Sequence, residues 1–387
     1  MNTRRLYFDY NATSPLDPLV KAEMMAFLEL ATGNPSSLHS YGQEARLKIA
    51  KARGQVARLI AAHPDEIIFT SGGTESNNMV LFGAAINSAQ RRGRIVTTAI
   101  EHQSVLNPCR VLVKRGHAVS FVRATADGTF DLECFSAELH EPPLLASAML
   151  ANNDTGALQP IAEAALIAHS RGVVFHTDAV QAAGKIPIDV IKLGVDYLSM
   201  SAHKLHGPAG IGALYVRRGC HLPPLLFGGR QEHGLRPGTE NAVAIVGFGK
   251  ACELAALRLE TDAHMINELR SSFETRLLER LPDISINAQN TDRLPNTSNI
   301  RFDGIDSQTL IMNLDFLGLA ASGGSACNAS EREPSHVLTA MGQSHDQAHS
   351  SVRFSIGRET SIDDINHAVD RIVLAVGQIR KSRHASR

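Results

Sequence analysis

Residues 66–88 have the sequence EIIFTSGGTESNNMVLFGAAINS, in which two glycines separate an apolar segment from a helical one. The apolar residues of 66–70 predict a short buried strand, and residues 75–88 predict a helix. Glycines let the backbone approach an anion, and a helix N-terminus is electropositive. The turn at 71–74 is therefore either an anion site or an ordinary helix cap with flexible glycines, and the motif alone favours neither.

The same alternation of strand and helix continues through the first two thirds of the chain. Further strands are predicted at residues 94–98, 144–151, 173–176 and 197–201, with a helix at 161–170. This order favours an α/β fold, in which helices cover both faces of a mostly parallel sheet. Ligands of such folds bind at the carboxyl ends of the strands.

The last third of the chain has a different pattern. It is strongly helical from about residue 242 to 280, and short strands at 298–302 and 352–355 precede a last helix at 362–379. We therefore predict two domains, joined by the long helix around 250–280. The large sheet domain comprises residues 13–255, and the smaller α+β domain comprises residues 1–12 and 256–387.

Composition excludes several classes of protein. The 387 residues are 43% hydrophobic with a formal net charge of −1, so nothing indicates binding to nucleic acid or to an acidic membrane surface. No apolar run is long enough to span a membrane, and the N-terminus lacks a signal-peptide core. The scattered cysteines predict neither a disulfide framework nor a metal site; they are residues 109, 134, 220, 252 and 327. We expect a cytoplasmic protein.

Four polar side chains follow predicted strands. Lys204 and Asp178 come at or just after strand ends, Gln181 follows Asp178 by one helical turn, and His102 opens the segment after strand 94–98. Each has an ordinary explanation, as a surface charge, a helix cap or a structural hydrogen bond. Together with the glycine turn they fit one ligand, pyridoxal phosphate (PLP). That cofactor needs a lysine for its carbonyl group, a carboxylate for its ring nitrogen and a site for its phosphate.

These residues, in this order, resemble the NifS/IscS-type cysteine desulfurases of the fold type I (aspartate-aminotransferase-like) PLP superfamily, and the resemblance runs almost end to end. The segments that carry it are YFDYNAT at 7–13, GNPSS at 33–37, TSGGTESN at 70–77, NNDTG at 152–156, HTDAVQ at 176–181, SAHK at 201–204, RPGT at 236–239, SAC at 325–327 and SVRFS at 351–355.

The resemblance implies a cofactor role for many of these residues. Lys204 would carry PLP, Asp178 would pair with the ring nitrogen, Gln181 would bond the phenolic oxygen, and His102 would stack on the ring and serve in proton transfer. The phosphate would be held by Gly73, Thr74, Ser201 and His203.

The resemblance also implies partners and substrate contacts. Thr239 would reach the phosphate of a neighbouring subunit, which implies a homodimer. Asn153 would contact the cofactor or the substrate, Asn34 would contact the substrate, and Arg353 would clamp its carboxylate as a bidentate fork. Arg353 lies within the segment VRFSI, in which apolar residues alternate. This pattern favours an inward position of its side chain over a surface ion pair.

Cys327 lies among small residues in ASGGSACNAS, which predicts a loop, whereas Cys109, Cys134 and Cys252 have the apolar or helical neighbours of inert thiols. By resemblance, Cys327 would take sulfur from L-cysteine as a persulfide, leave L-alanine, and pass the sulfur to an acceptor or scaffold protein. Relatives usually have Ser or Thr after this cysteine and a leucine before Glu-Pro, where this chain has Asn328 and Arg332. The acceptor pathway stays open among iron–sulfur cluster assembly, nitrogenase maturation, thiolation and DNA sulfur modification.

Two other functions are open at this point. The chain is compatible with another fold type I enzyme, an aminotransferase or lyase, in which Cys327 is incidental. It is also compatible with a binding scaffold that has kept the fold, although the complete set of lysine, aspartate and histidine argues against that function.

Overall fold

The computed structural model describes residues 4–30, 33–86, 93–323 and 333–385. Within these ranges the strands are β1 (Leu6–Tyr7), β2 (Ile67–Thr70), β3 (Arg94–Thr98), β4 (Ala118–Val122), β5 (Leu145–Ser147), β6 (Phe175–Asp178), β7 (Tyr197–Ser201), β8 (Gly212–Val216), β9 (Ile284–Ile286), β10 (Thr297–Phe302), β11 (Leu319–Ala320) and β12 (Ser351–Ser355). The α-helices are α1 (Pro18–Leu30), α2 (Ser40–Leu59), α3 (Gly73–Ile86), α4 (Gln103–Lys114), α5 (Leu132–Glu138), α6 (Ile161–His169), α7 (Val190–Leu193), α8 (Ala242–Arg280), α9 (Ser307–Phe316), α10 (His336–Ala340), α11 (His345–His349) and α12 (Ile362–Ala385).

A sheet with the strand order β2-β8-β7-β6-β5-β3-β4 forms the centre of the molecule. Only β8 runs antiparallel to its neighbours; all other pairs are parallel. Both faces are covered, because Ile67 and Phe69 of β2 pack into one buried cluster and Ile68 packs into another. The predicted α/β fold with a mostly parallel sheet is confirmed.

The carboxyl ends of β2, β3, β5, β6 and β7 meet at one edge of this sheet. Gly212, the first residue of β8, pairs with both Thr70 and Ser201 at that edge. A Cβ on Gly212 would lie 2.5 Å from the carbonyl oxygen of Met200 and 2.6 Å from Cα of Gly72. Glycine is therefore required where the chain brings the strand-end loops together.

A third buried cluster lies around the three-stranded antiparallel sheet β12-β10-β9. Leu6 and Phe8, near the start of the chain, pack into it with Phe302 and Phe354. Helix α8 contributes residues 269–277 to this cluster, and it contributes buried residues between Ala244 and Leu254 to the cluster that contains Ile67 and Phe69. The predicted division into domains at residues 12/13 and 255/256 stays a prediction.

Several elements differ from those expected. The strand predicted at 144–151 is limited to Leu145–Ser147, although the backbone N–H groups of Ala148 and Leu150 still donate to the carbonyl oxygens of His176 and Asp178. Strands β4 and β8 were not predicted, and α12 continues beyond residue 379. Residues 180–185 form turns rather than the helical turn expected between Asp178 and Gln181. No helix in the described part of the chain is both long and apolar enough to cross a membrane.

Candidate active site

A cavity of about 290 Å³ lies at the carboxyl edge of the central sheet. It brings together most of the residues predicted from the sequence. They are Gly73, Thr74, His102, Asn153, Asp178, Gln181, Ser201, His203, Lys204 and Arg353. Residues from the large sheet meet Arg353 of the small antiparallel sheet here, so the cavity lies between the two sheets.

The first turn of α3 forms one wall of the cavity. Gly73 begins this helix, and a Cβ there would lie 2.5 Å from Cγ2 of Val180, so a larger residue would displace the loop after β6. Thr74 follows it, and Ser201 and His203 approach from the end of β7. Free backbone N–H groups at a helix start and small polar side chains together can hold a phosphate.

Lys204 ends a single 3₁₀ turn that follows β7 directly. The half-buried side chain points back across the cavity, and Nζ donates to the carbonyl oxygens of Asn11 at 2.5 Å and Ala12 at 2.7 Å. These acceptors hold the amine at the cavity wall.

A second amine lies behind the first. Lys185 Nζ donates to Oε1 of Gln181 at 2.9 Å and to Oδ1 of Asn11 at 3.2 Å. Burial lowers its pKa well below the ordinary value, and the positive charges of Lys204 and Arg353 lower it further. Lys185 does not line the cavity but orients the amide of Gln181, which does.

Asp178 is the last residue of β6, and its carboxylate is buried. Oδ1 accepts from the backbone N–H of Val180 at 2.9 Å, and Oδ2 accepts from Nδ2 of Asn77 at 2.7 Å. Two donors on separate oxygens fix the plane of this carboxylate at the cavity wall.

His102 is the N-cap of α4. Its Nδ1 accepts from the backbone N–H of Ser104 at 3.1 Å and lies 2.8 Å from Oγ of the same residue. Burial lowers the pKa of His102; the Asp178 charge acts in the opposite direction, and Lys204 lowers the pKa further. The ring is therefore held mainly in its neutral form.

Arg353 lies on β12 and is 2% exposed. Its Nη2 donates to Oδ1 of Asp9 at 2.8 Å, and its Nη1 donates to the carbonyl oxygen of Asn153 at 3.0 Å and lies 3.7 Å from Oδ1 of Asp154. The inward position expected from the sequence is confirmed, and the charge has protein partners in addition to any ligand.

Two predicted site residues, Asn34 and Thr239, do not line the cavity of this chain. Asn34 is exposed in the loop before α2, where its Oδ1 accepts from the backbone of Ser36 at 2.9 Å. Thr239 is exposed in the loop before α8. Cys327 lies outside the described residues.

Several residues of the site were missed at the level of sequence. Asn77 and Ser104 were not singled out, because the local sequence does not show that Asn77 is buried or that it contacts Asp178, 101 residues away. Lys185, Glu101 and His336 resembled ordinary surface or structural residues. His336 lines the cavity and its Nε2 lies 2.9 Å from the carbonyl oxygen of Glu101. No cluster of side chains suited to a metal ion occurs within the described ranges.

The chain matches known proteins over nearly its whole length. The Aminotransferase class-V family model matches residues 6–367. Cysteine desulfurase IscS of Dictyoglomus turgidum is 42% identical, over 97% of this chain and 96% of that protein. Cysteine desulfurase NifS of Azotobacter vinelandii is 41% identical, over 97% of this chain and 93% of that protein.

A solved structure of a NifS-like protein has the same fold. It aligns with a TM-score of 0.91 and 37% identity, over 97% of this chain and 100% of that one. Family model, relatives and structure all cover nearly the whole length of the chain. The chain therefore belongs to the class-V aminotransferase family and, within it, to the IscS/NifS-type cysteine desulfurases.

Proposed function

We propose that this protein is a PLP-dependent cysteine desulfurase, which converts L-cysteine to L-alanine and takes the sulfur onto Cys327 as a persulfide. The observation that carries the proposal is the meeting, in one cavity, of an amine, a carboxylate, an anion cradle and a buried guanidinium. They belong to Lys204, Asp178, the Gly73–Thr74 turn and Arg353.

The residues of the cavity fit PLP. The start of α3, with Ser201 and His203, would hold the phosphate, Asp178 would hold the ring nitrogen, and Lys204 would hold the carbonyl carbon. Oδ1 of Asn153 is buried without a hydrogen-bond partner in the described part of the chain, as expected of a group that awaits a ligand. When bound, the cofactor draws electrons from the substrate Cα and so weakens the neighbouring C–H and Cβ–S bonds.

Gln181 would bond the phenolic oxygen of the cofactor. Its Oε1 accepts from Lys185 at 2.9 Å and its Nε2 donates to the carbonyl oxygen of Asn11 at 3.0 Å. The lysine thus fixes the amide with its NH₂ group on the side away from Nζ, which is the orientation needed to donate to an anionic oxygen.

Arg353 would bind the carboxylate of cysteine. A guanidinium offers several N–H donors in one plane, which suits two-point contact with a carboxylate. Because Asp9 and the Asn153 carbonyl already hold the group, the substrate meets an oriented fork rather than a mobile side chain.

Cys327 would act as the sulfur acceptor within the protein. The Cβ–S bond of cysteine breaks, a bond forms between that sulfur and Sγ of Cys327, and Cβ gains a proton. One cysteine and one thiol thus become one alanine and one persulfide, with no external oxidant or reductant. The persulfide sulfur would then move to an acceptor or scaffold protein by exchange between sulfur atoms.

The protein would act as a homodimer. Thr239 is exposed and lies outside the cavity of its own chain, which suits a residue that reaches a neighbour's phosphate. Large apolar side chains are also exposed in the loops of Asn34 and Thr239: Leu38 is 87% exposed and Phe227 is 86% exposed. Analytical ultracentrifugation tests the dimer, and weaker retention of PLP in Thr239→Ala tests the contact across it.

Replacement of Cys327 tests the activity directly. In Cys327→Ala we expect formation of alanine and sulfide from cysteine, in the presence of a reductant, to fall to background. The visible absorbance of the bound cofactor should remain, because the cavity residues that hold PLP are unchanged.

Cys134→Ala is the matched control, since Cys134 is a half-buried thiol outside the cavity, and it should retain activity. Alanine and sulfide production at the original rate in Cys327→Ala would show that the thiol is incidental and that the persulfide mechanism on Cys327 is wrong.

A further inference from the structure

Asn77 links two helices to the end of β6. It lies on α3, and its side chain is completely buried. Its Nδ2 donates to Oδ2 of Asp178 at 2.7 Å and to Oγ of Ser104 at 2.8 Å. An amide NH₂ has two hydrogens, and a carboxylate can only accept, so these contacts fix which end of the amide faces Asp178.

The direction of the next hydrogen bond follows from the first. Since Oγ of Ser104 accepts a hydrogen from Asn77, the hydroxyl hydrogen is available for the neighbouring Nδ1 of His102 at 2.8 Å. The backbone N–H of Ser104 also points at this nitrogen, at 3.1 Å. Two donors converge on Nδ1, which must then present a lone pair.

We infer that Asn77 and Ser104 are positioning residues that connect Asp178 to His102 and fix the ring as the neutral tautomer with its proton on Nε2. A hydrogen on Nδ1 would face the backbone N–H of Ser104, which cannot rotate away. With hydrogens on both nitrogens the ring would be a cation at the N-terminus of α4, where the positive end of the helix disfavours it. A histidine at a helix start can be kept neutral in this way so that it donates rather than accepts a proton.

The charges around the ring do not reverse this preference. Asp178 and Asp154 favour the charged ring, whereas Lys204 and His336 oppose it, and burial opposes it most. Only one of the two nitrogens is held by Ser104, and Nε2 is left for the cavity that His102 lines. From that nitrogen His102 can donate a hydrogen bond to an anionic atom of a ligand, but cannot remove a proton from it.

The catalytic role of this tautomer rests on the proposed function. The tautomer itself does not, because the position of a proton can be measured without turnover. Neutron diffraction from crystals of the PLP-loaded enzyme near neutral pH would locate the deuterons. We expect density for one on Nε2 of His102, none on Nδ1, and the Ser104 hydroxyl deuteron directed at Nδ1. A deuteron on Nδ1 would overturn the inference.

A solution test uses Ser104→Ala with Ser104→Thr as the matched variant that keeps the hydroxyl. Loss of one donor to Nδ1 makes the protonated ring less unfavourable. The acid limb of the kcat/KM profile should therefore move up by about half to one pH unit in Ser104→Ala, as the worth of one hydrogen bond implies. It should return towards the wild type in Ser104→Thr.

An acid limb at the wild-type pH in Ser104→Ala would contradict the role of the hydroxyl. The failure of the proposed function is a separate result, because a wild-type protein that makes no alanine from cysteine can still show its deuteron on Nε2. An active enzyme with the deuteron on Nδ1 would refute the inference alone.

Discussion

The guanidinium of Arg353 and the carboxylate of Asp9 lie 2.8 Å apart, and they connect the small antiparallel sheet to the strand end near the start of the chain. The pair keeps a charge that is 2% exposed from being buried without compensation. Asp9 therefore holds Arg353 in position before any ligand binds.

Arg353→Lys should raise the KM for cysteine at least about tenfold with a smaller effect on kcat, because the ammonium keeps the charge but loses the two-point contact. Loss of one charge-assisted hydrogen bond of about 1.5–3 kcal/mol supports that magnitude. Steady-state kinetics with cysteine measure it. Arg280→Lys, at a surface pair with Asp370, is the control and should leave KM unchanged. An unchanged KM in Arg353→Lys would remove Arg353 from the substrate site.

Lys204 and Lys185 both bind Asn11, so the structure offers two amines for the cofactor. We expect borohydride reduction of the loaded enzyme to attach the pyridoxyl group to Lys204, because this lysine lines the cavity and Lys185 does not. Peptide mapping by mass spectrometry locates the group. Lys204→Ala should abolish attachment.

Lys185→Met is the matched variant and should keep the attachment at Lys204. It removes the donor to Oε1 of Gln181, so the absorbance maximum of the bound cofactor should shift. A pyridoxyl group on Lys185 in the wild-type protein would contradict the assignment of Lys204.

Residues at strand ends were predictable because a parallel sheet places its carboxyl ends at one edge whatever the details of packing. Asp178, Lys204 and His102 were found in this way, and the structure brings all three to one cavity. Their positions follow from the topology of the sheet, and the order of the predicted strands already indicates that topology.

The supporting contacts were not predictable from a local pattern. Asn77 bonds Asp178, which is 101 residues away along the chain, and this depends on how α3 packs beside β6. Lys185 lies in a turn-rich segment where a lysine is usually solvated. Asn34 and Thr239 are exposed in a single chain, so their predicted contacts depend on whatever covers those loops.

Glu101 should make stability depend on pH. It is completely buried, and desolvation raises its pKa from 4.5 to about 8, against the hydrogen bonds from Thr98 and Met149 that favour its charged form. The folded protein then binds a proton that the unfolded chain releases. The contribution of Glu101 to the free energy of unfolding is complete below about pH 4.5 and is lost as pH rises through about 8. The loss is at most about 1.4 kcal/mol per pH unit.

Glu101→Gln cannot ionise, so its thermal midpoint relative to the wild type should rise between about pH 5 and about pH 8.5, each about half a unit above one limit of that window. Differential scanning calorimetry over that range measures it. Glu279→Gln, on the exposed side of α8, is the control and should differ from the wild type by a constant amount. A constant difference for Glu101→Gln as well would show that this carboxyl keeps one charge state throughout.

Thiol labelling should distinguish Cys327 from Cys109, Cys220 and Cys252. Burial raises the pKa of Cys109 to about 12 and of Cys220 to about 11, and it also raises that of Cys252. Only the thiolate reacts with iodoacetamide, so these three should label slowly in the native protein at pH 8. A Cys327 that accepts sulfur must form its thiolate readily, so it should label before these three cysteines. Peptide mapping after brief exposure to iodoacetamide would show this. Denatured protein is the control, in which these differences disappear; fast labelling of Cys109 or Cys252 without denaturant would contradict the burial described above.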